Sequence, residues 1–251
     1  MVTAVALAAT PFLAARAQTT PEVADESDYY KVDFLPTTPG MVEVGSLDFL
    51  TDGRLVVSTR RGQVWIVENP CAADPADAKL KLFAEGLYEG LGLAVVDGEI
   101  CVLQRTELSR LRDTDHDGKC DTVETICDDW GVSGNYHEFA YGLPHDRDGN
   151  FYVALNVAFQ DPKWWHGKSL APWRGWIVKI APAGAAGSHG DAGAAGSHLE
   201  PFACGFRSPN SLCLSPDGDL FATDNQGDWL PSCPIYHVQR DEFYGHPASL
   251  E

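Results

Sequence analysis

The feature that most constrains the fold of this chain is a hairpin phrase that recurs four times along its 251 residues. In each copy a short apolar segment meets an Asp-Gly turn and a second apolar segment follows, as in the stretch from Leu47 to Thr59. Glycine tolerates the positive φ that a tight hairpin turn requires, so each copy predicts two antiparallel strands. The four turn glycines are Gly53, Gly98, Gly149 and Gly218.

The spacing of these glycines, at 45, 51 and 69 residues, indicates a larger repeating unit. The first two spacings match the roughly 40–50 residues of a four-stranded propeller blade. A two-sheet sandwich, the competing all-β architecture, does not require a repeat of this length. No segment keeps a helical periodicity over several turns, so few helices are expected. The sequence therefore predicts an all-β fold, a β-propeller spanning residues 31–251.

The repeats supply about four blades, and the fourth is only just finishing where the sequence ends at Glu251. Radial repetition protects sheet edges only when the ring closes, so we expect these blades to be part of an incomplete ring. The long third spacing contains two insertions. One is the Trp-rich stretch 161–176, whose rings could stack on sugars or close the end of the central channel. The other is a duplicated Gly/Ala/Ser tract at 183–198, predicted to be a flexible surface loop.

The beginning of the chain predicts export. A mostly apolar run ends in the cleavage pattern Ala15-Arg16-Ala17, which indicates a signal peptide over residues 1–17. The apolar run is too short to span a bilayer. The polar and acidic residues that follow predict a disordered leader over residues 18–30. We expect a periplasmic or extracellular protein with no transmembrane segment beyond the signal peptide.

The charge of the chain excludes one class of partner. It has 18 basic and 36 acidic residues, which gives a formal net charge of −18. Such a field repels phosphate backbones, so no nucleic-acid binding is expected.

The seven cysteines show no zinc-like spacing. In an exported protein one or two disulfides are expected, and Cys120 with Cys127 is a candidate pair. Cys101 and Cys213 lie within apolar strand patterns, where a cysteine is also a small buried hydrophobe.

The acidic segment from Asp113 to Glu124 fits the calcium-loop pattern D-x-D-x-D-G-x5-E in full. Alternate carboxylates converge on one point when the backbone coils, and hard oxygen ligands select Ca²⁺ over softer metals. The candidate ligands are Asp113, Asp115, Asp117, the carbonyl of Lys119 and Glu124. The flanking residues are typical of strand ends, not of EF-hand helices. The pattern therefore predicts a stand-alone structural calcium site, with a merely acidic turn as the alternative.

Three further phrases carry a resemblance to a known family. In the segment from Tyr136 to Val153 a histidine precedes a hydrophobic strand, an Asp-Gly turn and a Tyr-Val strand. The phrase from Gly205 to Asn210 is followed by a Thr-Asp-containing phrase from Ala222 to Asp228. Over roughly residues 45–250 the chain resembles the quinoprotein glucose/sorbosone dehydrogenases. The sequence of the segment from Phe243 to Pro247 is similar to that of a large-protein branch of this group. In that branch a cytochrome-like domain often follows the propeller.

The resemblance implies a six-bladed propeller that uses pyrroloquinoline quinone (PQQ) and calcium to oxidise a sugar or an aldehyde, with a cytochrome as a candidate electron acceptor. In this comparison His137 is the catalytic base, because an imidazole has a pKa near the working pH. Arg207 corresponds to an arginine near cofactor and substrate, where a guanidinium can stack on a planar quinone and pair with its carboxylates. Asn210 and Asp224 would lie at neighbouring blade ends as further cofactor-binding residues.

The sequence also departs from the family pattern. Ser208 stands where the family phrase has Asn, and the family's cations that hold the cofactor carboxylates lie in later blades. We therefore expect these blades alone to be inactive. From the residues alone, His137 could be a structural histidine and Arg207 a clamp between blades. The alternative function is a non-catalytic, calcium-stabilised propeller that binds carbohydrate or a protein partner.

Overall fold

The computed structural model describes residues 25–36, 43–158, 171–181, 198–226 and 230–247. The chain divides into two units, Met1–Phe34 and Leu35–Glu251. The predicted signal peptide, the Trp-rich stretch as far as residue 170 and the Gly/Ala/Ser tract as far as residue 197 lie outside the described residues. No helix in the described ranges is long and apolar enough to cross a membrane.

In the first unit the described residues form one short element. A single turn of 3-10 helix, Glu26–Asp28, falls within the segment predicted to be a disordered leader. The carboxylate of Asp25 caps it by accepting a hydrogen bond of 2.9 Å from the Ser27 N–H.

The described part of the second unit forms four antiparallel sheets that follow one another along the chain. The first sheet contains β1 (Val44–Phe49), β2 (Leu55–Thr59), β3 (Val64–Glu68) and β4 (Lys79–Ala84). The second contains β5 (Gly92–Val96), β6 (Glu99–Leu103), β7 (Leu108–Arg112) and β8 (Thr122–Cys127). The third contains β9 (Ala140–Tyr141), β10 (Phe151–Leu155), β11 (Trp176–Ala181) and β12 (His198–Cys204). The fourth contains β13 (Ser211–Leu214), β14 (Leu220–Thr223) and β15 (Ile235–Val238).

These sheets are the four blades of a β-propeller, so the predicted fold class is confirmed. Within each sheet the strands are neighbours in chain order. The only other helix in the described part of the second unit is a 3-10 turn, Pro75–Asp77.

The hydrophobic core lies between successive blades. Strand β10 shows why, because it is buried along its whole length. Phe151, Val153 and Leu155 pack toward residues of the second blade, whereas Tyr152 and Ala154 pack toward residues of the fourth. Side chains of a strand alternate between its two faces, so a blade with a neighbour on each side needs apolar residues at every position. This arrangement explains the continuous apolar runs in the sequence.

Alternating strand direction gives the propeller two ends. One end, here called the turn end, carries the loops from the first to the second strand and from the third to the fourth strand of each blade. The other, the crossover end, carries the loops from the second to the third strand and the connections to the next blade. Gly53, Gly98, Gly149 and Gly218 all lie in first-to-second-strand turns with φ between 81° and 94°. The repeated phrase therefore marks equivalent positions of four blades, as predicted.

No disulfide joins the seven cysteines, all of which lie in described ranges. The candidate pair was wrong because Cys120 precedes β8 and Cys127 ends it, which puts a whole strand between them. Cys101 is buried, as the alternative predicted, but Cys213 is exposed.

Candidate functional site

His137 lies at the crossover end, in the connection from β8 to β9. Its backbone N–H donates to Oδ1 of Asn135 over 3.0 Å. Its ring lies 3.9 Å from the ring of Tyr136, measured between centroids. Nδ1 of His137 is buried, so Nε2 is the nitrogen better placed to reach a ligand.

Buried charges hold the loop that carries His137. Nε and Nη2 of Arg174 donate to the carbonyl of Gly131 over 3.0 and 2.5 Å, and Nη1 donates to the carbonyl of Phe139 over 3.0 Å. Glu138 accepts hydrogen bonds from the N–H and the hydroxyl of Ser133 over 2.5 and 2.6 Å. Burial lowers the pKa of Arg174 to about 10, although the charge of Glu138 opposes this shift. One arginine thus ties both ends of the loop.

A second group of charges lies beside this loop. Glu89 forms two ion pairs. Its Oε1 lies 3.2 Å from Nε of Arg60, and its Oε2 lies 2.6 Å from Nη1 of Arg105. Both guanidinium carbons lie over the ring of Phe139, at 5.2 and 5.1 Å from its centroid. A guanidinium stacked on an aromatic ring and paired with a carboxylate has little freedom to move. Residues of the first, second and third blades therefore meet at this point.

Arg207 and Asp224 belong to the fourth blade and its entry. Asp224 follows β14 and accepts hydrogen bonds from the N–H groups of Arg207, Ser208 and Asn225 over 2.9, 2.8 and 2.8 Å. Burial raises the pKa of Asp224, and these three N–H groups act in the opposite direction. Asp224 therefore fixes the backbone of the Arg207 loop. Asn210 is exposed, and its Oδ1 accepts the hydroxyl of Thr223 over 3.0 Å.

The loops of His137 and Arg207 meet through Asn156. Its N–H donates to the carbonyl of Phe139 over 3.0 Å, and its Nδ2 donates to Oγ of Ser208 over 2.8 Å. Its Oδ1 is buried and has no hydrogen-bond partner within the described ranges. Ser208, the departure from the family phrase, is thus engaged by a side chain of the third blade.

Electrostatics connect His137 with Arg207. Burial lowers the pKa of His137 below its ordinary value, and the positive charges of Arg207 and Arg105 lower it further. A lowered pKa keeps the imidazole neutral near neutral pH, which is the form that accepts a proton. The crossover end can therefore offer a base and cations for an anionic group. Arg105, Glu138, Asn156 and Arg174 have no motif that would have identified them in the sequence.

The acidic loop lies at the turn end, between β7 and β8. Carboxylate oxygens of Asp113, Asp115 and Asp117 lie within 4.8 Å of one another. Gly118, with φ of 89°, turns the backbone so that its N–H donates to Asp113 over 2.9 Å. Glu124 does not join this group. It lies in β8, where its carboxylate is 3.1 Å from Arg112.

A cavity of about 400 Å³ borders this loop at the turn end. Its apolar wall includes Leu50 and Phe83 of the first blade and Ile100 of the second, and Asp113 is among its polar lining residues. It is at the opposite end from His137.

Solved structures with this architecture include sugar dehydrogenases. One is the putative oxidoreductase (glucose dehydrogenase) from Thermus thermophilus, at 22% identity and a TM-score of 0.60, covering 83% of this chain and 66% of that one. Another is the PQQ-bound aldose sugar dehydrogenase from Streptomyces coelicolor, at 18% identity and a TM-score of 0.61, covering 83% and 63%. A third is a calcium structure of a Trichoderma reesei carbohydrate-active enzyme of family AA12, at 15% identity and a TM-score of 0.53, covering 84% and 55%.

The chain thus spans about two thirds of the length of the first two structures. At these identities the likeness shows the fold alone, the β-propeller that these dehydrogenase structures share. No curated protein matches the sequence. A family described as "Domain of unknown function (DUF7133)" matches residues 40–182. Because this match covers more than half of the chain, the protein belongs to the DUF7133 family.

Proposed function

We propose that the protein forms part of a sugar or aldehyde oxidoreductase whose electron acceptor is PQQ. The observation that carries the proposal is that Asn156 joins the loops of His137 and Arg207, which come from successive blade connections. Equivalent connections of a propeller converge at one end, where a ligand can reach both. The PQQ-bound neighbour of the same architecture supports the choice of cofactor.

His137 acts as the general base in this proposal. Its neutral imidazole takes the proton of a substrate hydroxyl at Nε2, because Nδ1 is buried. Burial, together with the charges of Arg207 and Arg105, lowers the pKa of His137 and so favours the neutral imidazole. Arg174 and Glu138 hold its loop, so the base does not have to be ordered during the reaction.

The residue types at the crossover end are suited to binding PQQ. When bound, PQQ supplies the two-electron acceptor, and its carboxylates require cations. Arg207 would provide one of them, with Asp224 fixing its backbone and Asn210 at the neighbouring strand end. The Oδ1 of Asn156 is a further buried polar atom of these loops, without a hydrogen-bond partner among the described residues. We expect turnover to require further cations from the rest of the ring, and these four blades alone to be inactive.

We also propose that the acidic loop binds a structural Ca²⁺ through Asp113, Asp115, Asp117 and the carbonyl of Lys119. The clustering of three carboxylates within 4.8 Å supports this ligand set. Calorimetric titration should detect Ca²⁺ binding that Asp115→Ala abolishes. Chelation that leaves the melting temperature unchanged would contradict a structural role.

The remaining parts of the proposal concern location and partner. The Ala15-Arg16-Ala17 pattern after an apolar run supports export to the periplasm or the cell exterior. A cytochrome is the proposed final electron acceptor, after PQQ. N-terminal sequencing of the mature protein, with a start at Gln18, tests the cleavage.

The decisive experiment loads the full-length protein with PQQ and Ca²⁺ and follows dye-linked oxidation of sugars and aldehydes. His137→Ala should lower kcat by about 10²–10⁴-fold while PQQ affinity is retained, because a general base acts in the transition state. His145→Ala is the matched control, since His145 lies in the hairpin before β10 at the turn end, away from the proposed site. Equal losses in both variants would contradict the assigned role of His137.

The alternative is a non-catalytic, calcium-stabilised propeller that binds carbohydrate or a protein partner. The cavity of about 400 Å³ beside the acidic loop favours this second function, because it places a binding surface at the end without His137. Sugar binding that persists in His137→Ala but is lost in Phe83→Ala, without any oxidation, would support it.

A further inference from the structure

Arg105 is a buried arginine whose side chain and backbone both make hydrogen bonds. Its side chain is 7% exposed and Nη1 lies 2.6 Å from Oε2 of Glu89. Nη2 donates to the carbonyl of Asn135. The backbone N–H of Arg105 donates to the carbonyl of Tyr88 over 2.9 Å, and its carbonyl accepts the indole N–H of Trp130 over 3.0 Å. The position of the guanidinium is therefore fixed from both sides.

Asn135 connects this arginine to His137. Oδ1 of Asn135 accepts the N–H of His137 over 3.0 Å. The Asn135 carbonyl, to which Arg105 donates, also accepts the N–H of Glu138 over 3.2 Å. A displacement of Asn135 therefore displaces the backbone on which the imidazole is mounted.

We propose that Arg105 is a positioning residue for His137: by holding the carbonyl of Asn135, it presents the imidazole in one orientation at the crossover end. The inference rests on the proposed function for the role of His137 as a base. An arginine suits the task because its planar fork donates to a carboxylate and a carbonyl at once while stacking on Phe139. A lysine ammonium carries the charge without the fork.

The charge of Arg105 also favours the neutral form of the His137 imidazole. Burial lowers the pKa of His137 most, and among the described residues the positive charges of Arg207 and Arg105 lower it further. Glu138, the buried carboxylate next to His137 in the chain, is directed at Ser133. Removing the charge of Arg105 therefore raises the pKa of His137, since a nearby cation disfavours the charged imidazole.

The first test needs no activity. The imidazole of His137 is titrated by NMR in the chain itself, with His137→Gln to assign its signals. Arg105→Gln should raise the pKa of His137 and shift the amide signals of residues 135–138. Arg60→Gln is the matched control, because Arg60 pairs with the same Glu89 and stacks on the same Phe139. It should leave the signals of His137 in place.

Arg105→Lys separates orientation from charge and serves where Arg105→Gln does not fold. It should shift the amide signals of residues 135–138 while the pKa of His137 stays low. In the PQQ-loaded full-length protein it should lower kcat about tenfold with little change in KM. If neither Arg105 variant moves the signals of His137, the inference is overturned. If the signals move but no variant, nor the parent, oxidises any sugar, the proposed function fails while the positioning contact stands.

Discussion

The acidic loop at the turn end and the loop of His137 at the crossover end differ in the range of the side-chain hydrogen bonds that hold them. At the turn end, Asp113 accepts the N–H groups of Asp117 and Gly118, four and five residues away. At the crossover end, Arg174 reaches Gly131, 43 residues away, and is 1% exposed. Local contacts let each turn form by itself, whereas distant ones make several loops depend on one another. That dependence gives the crossover end the fixed geometry that a catalytic base requires.

The two ends should differ most in stability when Arg174 is replaced. Arg174→Ala should destabilise the protein by about 3–5 kcal/mol, because it leaves buried carbonyls and the buried Glu138 uncompensated. Arg54→Ala at the turn end removes an exposed pair with Asp52, at 2.8 Å, and should cost less than about 1 kcal/mol. Urea denaturation of both variants measures the difference. Similar losses would show that the two ends are equally tolerant.

Glycines provide a second comparison of the two ends. A Cβ at Gly62, in the crossover-end loop between β2 and β3, would lie 1.8 Å from the carbonyl oxygen of Leu87. A Cβ at Gly53, in the first turn, would meet nothing within 4 Å. Both have positive φ, at 80° and 85°. Gly53→Ala should therefore cost about 1–2 kcal/mol of backbone strain, and Gly62→Ala about 3 kcal/mol or more because backbone must also move. Thermal unfolding of the two variants tests this order.

The same difference decides what the sequence could predict. The turns at Gly53 and Gly218 and the acidic loop depend on neighbours in the chain, so their patterns were informative. The apolar runs also predicted the blades, because a strand covered on both sides is apolar throughout. The contacts of Arg174 with Gly131 and of Asn156 with Ser208 join positions 43 and 52 residues apart. Those pairings depend on which blades are neighbours, and no local pattern encodes them.

Two aspartates should titrate on opposite sides of their ordinary pKa of 3.8. Hydrogen bonds from the backbone and side chain of Thr114 lower the pKa of Asp121 at the turn end. Burial raises the pKa of Asp224 at the crossover end. Carbon-detected NMR of the carboxyl groups measures both values directly. Titration of Asp224 below Asp121 would contradict the opposite effects assigned to burial at Asp224 and to hydrogen bonding at Asp121.

The direction of each pKa shift also determines how the free energy of unfolding changes with pH. Asp121 contributes stability above its unfolded pKa of 3.8, which is lost as the pH falls through its lower folded value. Asp224 contributes stability that is full below 3.8 and is lost as the pH rises through its higher folded value. The effect of Asp121→Asn on the free energy of unfolding should therefore fade on acidification. The loss of stability caused by Asp224→Asn should become smaller as the pH rises through the folded pKa of Asp224.

The smallest expected effect concerns Glu124, which the calcium-loop pattern marks as the closing ligand. The register of β7 and β8 sets Glu124 opposite Arg110, and its carboxylate lies 3.6 Å from Arg110 and 3.1 Å from Arg112. Both arginines and Glu124 are partly exposed, so Glu124→Gln should change the free energy of unfolding by less than about 1 kcal/mol, and by less still at high salt. Since the strand pairing holds Glu124 away from the three clustered aspartates, Glu124→Gln should leave Ca²⁺ affinity unchanged in calorimetry. A large loss of affinity would mean that the ion draws Glu124 out of its pairing with β7, and that the contacts of the turn end are less local than the comparison with the crossover end requires.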